Sequence, residues 1–238
     1  MSKIFDAYKK QSASALDIAQ EEPQLGFDPL YPPPKEEQLA DFSRLANRLL
    51  GLKTGPDGSV FCFASTTSGE GASFVSYNTA VVLAQVYNQK VAWVDCNILS
   101  PQSSLQVDTG LTFSTLLKNP TLVQELHLNG NPYLLAGGSD LRRSKGLFAS
   151  ANFTRVLTEL AQRFDQVILD LPPVLDTSDT ALMAAGCDGF LLVIEQQYLK
   201  WEIVSHGLNA LRDKGVQILG SVVNRRKFVL PKIIYDRL

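Results

Sequence analysis

From Ser59 onward the chain alternates between short runs that are apolar at nearly every position and longer stretches whose apolar residues recur at helical spacing. The runs are SVFCFAS, KVAWVD, PYLLAG, QVILDLPP, GFLLVIE and VQILGSVV. A strand with one face in water reads apolar, polar, apolar, whereas a run without that alternation reads as a strand covered on both faces. The helical stretches between the runs supply right-handed crossovers. The pattern therefore predicts an α/β fold with a doubly wound, mostly parallel sheet flanked by helices. Ligands of such folds sit beyond the carboxyl ends of the strands.

The flanks follow other patterns. Residues 1–37 begin with SKIFDAYKKQSASALDIAQ, a helix candidate with Ile4, Phe5 and Tyr8 on one side, and continue into EEPQLGFDPLYPPPKEE, a proline-rich extended linker. In EQLADFSRLANRLLG, Leu39, Phe42, Ala46, Leu49 and Leu50 fall at helical spacing, and Gly51 follows as a stop. The main domain is expected over 38–224, with a basic and apolar tail over 225–238. In that tail Pro231 excludes a central strand, so its apolar residues must be covered by the domain, a membrane surface or a partner.

Composition narrows the function classes. With 238 residues, 45% of them hydrophobic, the chain can bury one sizeable core. Twenty-two Lys and Arg against 24 Asp and Glu leave a net charge of −2, so no overall field draws the protein to nucleic acid. No apolar run reaches the length of a membrane span and the first residues lack a signal-peptide pattern, which makes a cytoplasmic location the expectation. Cys62, Cys96 and Cys187 share no metal-ligand spacing with one another or with His127 and His206, and read as buried thiols. No serine lies in a nucleophile-elbow pattern.

The chemistry is concentrated after the first predicted strand, in STTSGEGASF. Gly69 and Gly71 allow backbone N–H groups to turn toward an anion, and the following helix aims its positive end at the same place. In a P-loop, a lysine then neutralises the phosphates and a hydroxyl holds magnesium. Here Ser73 supplies the hydroxyl, but Ala72 stands where the lysine belongs. Two further strands end in acids, Asp95 in VAWVDCN and Asp170 in VILDLPPV, where a Mg-nucleotide site needs carboxylates.

Taken in order, GEGAS, VAWVDCN, AGG, VILDLPPV, CDGFLLVIE and LGSVVNR resemble the cytoplasmic domain of the bacterial tyrosine kinases (BY-kinases), relatives of the MinD/ParA ATPases in the P-loop superfamily. The resemblance covers residues 40–238. It implies a MinD-like P-loop NTPase fold, with ATP or ADP and magnesium as cofactors. Nucleotide contacts would come from Thr66, Ser68, Gly69, Glu70, Gly71, Ala72, Ser73 and Phe74, with Asn224 beside the adenine and Arg225 next to it. Ser73, Asp95 and Asp170 would hold the magnesium, and the two aspartates would be the catalytic groups of an active enzyme. It also implies work beside a polysaccharide co-polymerase of the Wzz type, or other exopolysaccharide machinery, at the inner membrane.

Departures from that family's pattern qualify the picture. Ala72 replaces the lysine. Asn97 replaces the second acid of the Asp-x-Asp motif. Of the oligomerisation motif Glu-x-x-Arg-x-x-Arg, aligned on Asp41, Arg44 and Asn47, only Arg44 matches, and the terminal tyrosine cluster is reduced to Tyr235. The sequence thus predicts a degenerate member with a structural or regulatory role, its magnesium nucleotide binding weakened, able to self-associate, with Phe42, Arg44, Ile233 and Tyr235 on partner surfaces. Two alternatives stand beside it: an active ATP-dependent tyrosine kinase in which Arg142 or Arg143 replaces the lysine, and a MinD/ParA-like localisation ATPase.

Overall fold

The computed structural model describes residues 30–32, 34–52, 56–100, 110–127, 132–138, 140, 146, 148–196 and 199–225. In chain order the elements are α1 (Glu36–Leu50), β1 (Ser59–Ser65), α2 (Ala72–Gln85), β2 (Val91–Asp95), α3 (Phe113–Lys118), a 3-10 turn (Pro120–Glu125), β3 (Tyr133–Leu135), α4 (Ala151–Arg163), β4 (Gln166–Asp170), α5 (Asp179–Ala185), β5 (Gly189–Glu195), α6 (Trp201–Arg212) and β6 (Ile218–Asn224). The six strands form one sheet in the order β3-β2-β4-β1-β5-β6, with every pairing parallel. The predicted α/β sheet is what the chain builds.

The unbroken apolar runs are explained by two cores, one on each side of the sheet. Val60, Cys62 and Ala64 of β1 point into the core covered by α4, α5 and α6. Phe61 and Phe63 point the other way, into the core beneath α1 and α2. The period-2 alternation of a strand is present, but both destinations are apolar. Helix α2 lies between the sheet and α1 and is almost wholly buried, including Ser76, Asn78 and Thr79. Each of these polar side chains donates back to its own helix: Ser76 to Ser73 O at 3.1 Å, Asn78 to Phe74 O at 3.0 Å and Thr79 to Val75 O at 2.7 Å. Burial therefore leaves no donor of theirs unmet. The Trp93 indole N–H on β2 also reaches Ser76 Oγ, at 3.0 Å, and fastens α2 to the sheet.

Two expectations need adjustment. The last apolar run predicted a strand covered on both faces, yet β6 is the sheet's edge and is half-exposed, with Val223 54% accessible. An apolar run reports residue types, not how many neighbours the strand receives. The three cysteines are free thiols; Cys62 and Cys96 are buried as predicted, Cys187 is only partly so, and Cys62 lies beside Cys187 in space despite their separation in sequence. Burial pushes the Cys62 and Cys96 thiols up, which makes them inert as nucleophiles.

Candidate functional site

Beyond the carboxyl end of β1 the chain turns through residues 66–71 into α2. Gly69 and Gly71 have φ of +96° and +89°, a left-handed region that disfavours other residues. At Gly71 a Cβ would also lie 2.2 Å from Asn224 Nδ2. The loop is braced from three sides. Glu70, fully buried, turns inward and accepts from the Thr67 N–H at 2.7 Å and the Thr67 hydroxyl at 3.2 Å, while its other oxygen accepts from the Glu195 N–H at 3.2 Å. Asn224 Nδ2 donates to Glu70 O at 2.9 Å, and Arg225 Nη1 donates to Gly69 O at 3.1 Å and to Glu195 Oε2 at 2.8 Å. Ser68 donates to Asp176 Oδ2 at 2.9 Å. Ala72 opens the helix and is only 8% exposed.

Two acids are buried at the neighbouring strand ends, behind the lining of the cleft. Strands β2 and β4 pair in a register that sets Asp95 directly against Asp170, both fully buried. The Asp95 carboxylate accepts from the Asn97 N–H at 3.0 Å. Neither carboxyl oxygen of Asp170 has a hydrogen bond of ordinary geometry, although the Ser73 and Ser76 hydroxyls lie near enough to favour its charged form in part. Burial, reinforced by the neighbouring Asp95, pushes Asp170 from 3.8 to about 8. Asp170 is therefore largely protonated at neutral pH. Asn97 accepts from the N–H groups of Leu99 at 3.3 Å and Ser100 at 3.1 Å, so its side-chain oxygen serves its own turn.

The cleft itself has a volume of about 630 Å³ and is lined among others by Tyr31, Ala72, Ser73, Asn97, Asn224 and Arg225. That volume is ordinary for a small-molecule site. No acid lines it among the described residues, and Arg225 is the one cation there. Ser73 lines the cleft, and the orphaned Asp170 oxygens and the Asp95 carboxylate are buried behind it; with Asp170 deprotonated by a cation these would be hard oxygen donors, the kind magnesium accepts. Among the described residues no group of three or more His, Cys, Asp and Glu could hold a metal by itself, so a magnesium ion would depend on phosphate oxygens and water as well. A bound Mg-nucleotide would supply the phosphoryl group; the chain's own residues would orient it.

The structure thus gathers Thr66, Ser68, Gly69, Glu70, Gly71, Ala72, Ser73, Phe74, Asp95, Asp170, Asn224 and Arg225 at one end of the sheet. Within this group Glu70 braces the loop and Thr66 is buried beneath it. Phe42 faces inward, 8% exposed and edge-on to Phe74 at 6.1 Å, whereas Arg44 is exposed and paired with Asp41. Ile233, Tyr235, Arg142 and Arg143 lie outside the described residues. Three participants escape sequence reasoning. Tyr31 leaves the proline-rich linker to pack on Tyr77 at 5.6 Å and Phe74 at 6.2 Å, Glu195 meets the loop from the last position of β5, and Asp176 reaches it from beyond β4. Only the LYPPP context of Tyr31 offers a signal, a stiff segment able to hold an aromatic ring in place.

Comparison with known proteins agrees with this geometry. The ParA family model, described as an NUBPL iron-transfer P-loop NTPase, matches residues 58–235. Tyrosine-protein kinase YwqD of Bacillus subtilis is 30% identical over 169 residues, which cover 68% of this chain and 70% of that protein. Tyrosine-protein kinase CpsD of Streptococcus agalactiae is 26% identical over 179 residues, 72% of this chain and 77% of the relative. The kinase domain of Escherichia coli tyrosine kinase ETK superposes with a TM-score of 0.69 at 20% identity, covering 90% of this chain and 89% of that one, a likeness of fold. No helix among the described residues is long and apolar enough to cross a membrane. Loop, paired acids and sequence similarity together make this chain a member of the ParA-type P-loop NTPases, within the bacterial tyrosine-kinase group.

Proposed function

We propose that this chain is a non-catalytic member of that group, acting by binding partners in exopolysaccharide or capsule assembly at the cytoplasmic face of the inner membrane. The observation that carries the reading is Ala72, a nearly buried methyl group at the first position of α2. Phosphoryl transfer depends on electrostatic stabilisation of charge spread over the transferring group, and a missing lysine removes it where it is needed. A lost charge-assisted hydrogen bond costs about 1.5–3 kcal/mol in binding and more in a transition state. Magnesium nucleotide binding is accordingly weakened but retained, through the loop N–H groups, Ser73 and the two aspartates. Partners engage the exposed Arg44 side of α1 and the tail with Ile233 and Tyr235, and a co-polymerase is the partner proposed.

The test is capture of the chain by the cytoplasmic segments of a co-polymerase, with and without Mg-ATP. Capture independent of ATP and undiminished by Asp170→Asn supports the reading; capture that requires hydrolysable ATP contradicts it. A working tyrosine kinase is the competing reading, favoured by one specific observation, the side-by-side Asp95 and Asp170 at the strand ends.

A further inference from the structure

The cleft's one described cation does not come from the loop helix. Arg225 follows the last residue of β6, has φ of +49°, and uses a single nitrogen, Nη1, for both of its side-chain bonds, to Gly69 O and Glu195 Oε2. Nε and Nη2 have no partner among the described residues, and the side chain is 56% exposed. A guanidinium carries five donors in a planar fork that suits phosphate oxygens. It shares the lining of the cleft with Gly69, Gly71 and Ser73, at the start of a helix with no acid in its first turn. Arg142 and Arg143, the sequence's first choice for a replacement charge, are not needed for this.

We infer that Arg225 supplies, from the end of β6, the positive charge that position 72 lacks, so that the cleft takes a diphosphate group, free or in a nucleoside diphosphate. This rests on the proposed reading of the cleft as a weakened, non-catalytic phosphate site. Nη1 remains on the loop, where it keeps the Gly69 carbonyl fixed. The unused edge of the guanidinium faces the phosphate. Glu195 competes for the same cation, which holds the affinity down in the absence of a stronger anion.

Calorimetric titration of the full chain with inorganic pyrophosphate and with ADP tests the inference. Saturable binding of both is expected, weakened roughly 10- to 100-fold by Arg225→Ala, restored by adding Ala72→Lys to that variant, and tightened several-fold by Glu195→Gln. Rescue by a lysine at position 72 separates a charge from a brace, because a lysine there cannot bond the Gly69 carbonyl as Arg225 does. If Arg225→Ala fails to fold, Glu195→Gln alone decides, and unchanged or weaker binding overturns the inference. It is equally overturned by absence of saturable binding to the wild type at millimolar ligand, by undiminished binding to Arg225→Ala, or by an Arg225 dependence confined to ADP, which would place the arginine at the base. None of these results bears on partner capture or turnover, so the non-catalytic, partner-binding role is tested separately.

Discussion

The strand ends and the loop at this end of the sheet differ in charge. The β2 and β4 side presents two fully buried carboxyl groups in register, Asp95 and Asp170, whereas the loop side presents two left-handed glycines, an alanine and a hydroxyl. A cation at position 72 would draw Asp170 down by opposite charge; with alanine there, burial and Asp95 push Asp170 up to about 8. The loop holds its geometry without a lysine at position 72 because other residues brace it: Glu70 from within, Asn224 and Arg225 from the edge strand. The loop's shape thus rests on Glu70, Asn224 and Arg225 and not on a side chain at position 72.

The largest expected effect comes from breaking the platform on which both sides rest. Trp93 is fully buried on β2, and its indole N–H ties the acid-bearing strand to the loop helix. Trp93→Ala should cost about 3–5 kcal/mol of stability, read by denaturant unfolding. The second prediction isolates the acid side. Folded chain keeps the Asp170 proton to about pH 8, while unfolded chain releases it near 3.8. Between those values the unfolded state binds fewer protons, so stability falls as pH rises, by as much as about 1.4 kcal/mol per pH unit from this group. Asp170→Asn should therefore be more stable than wild type at pH 8 by about 2 kcal/mol or more. The difference should close toward pH 4, and a melting series across pH checks both.

On the loop side, Gly71→Ala forces a side chain into a left-handed position and against Asn224. It should cost about 1–3 kcal/mol and abolish whatever anion binding the wild type shows. The smallest effect is Asn224→Ala, which removes one brace of the loop and should cost about 0.5–1.5 kcal/mol. If Asn224 also meets an adenine, ADP affinity falls by a similar amount while pyrophosphate affinity falls less, and equal losses would sharpen its role to bracing alone.

Most of this architecture was legible because its signals are local. SVFCFAS and GFLLVIE match β1 and β5 residue for residue, since a strand buried on two faces cannot hide its composition. PYLLAG shortens to a three-residue β3 at the other edge of the sheet, where fewer neighbours extend the ladder. Gly69, Gly71, Asp95 and Asp170 were each readable from a turn or a strand end. The register that sets the two acids side by side was not, because it arises from long-range pairing. The same holds for Tyr31, which packs on α2, and for Glu195, which bonds the loop. Phe42 illustrates the limit of periodicity: its spacing marks an apolar helix face, and only packing shows that Phe74 covers it.

Without a lysine at position 72 the site is expected to lack catalytic power. Incubation of the purified chain with Mg-ATP, following both phosphate release and label transfer to tyrosine, tests it most directly, with Ala72→Lys alongside. No turnover above background is expected from the wild type, and a measurable gain from the lysine variant. Wild-type turnover on the order of 1 per second or faster, the range of working kinases, would contradict it.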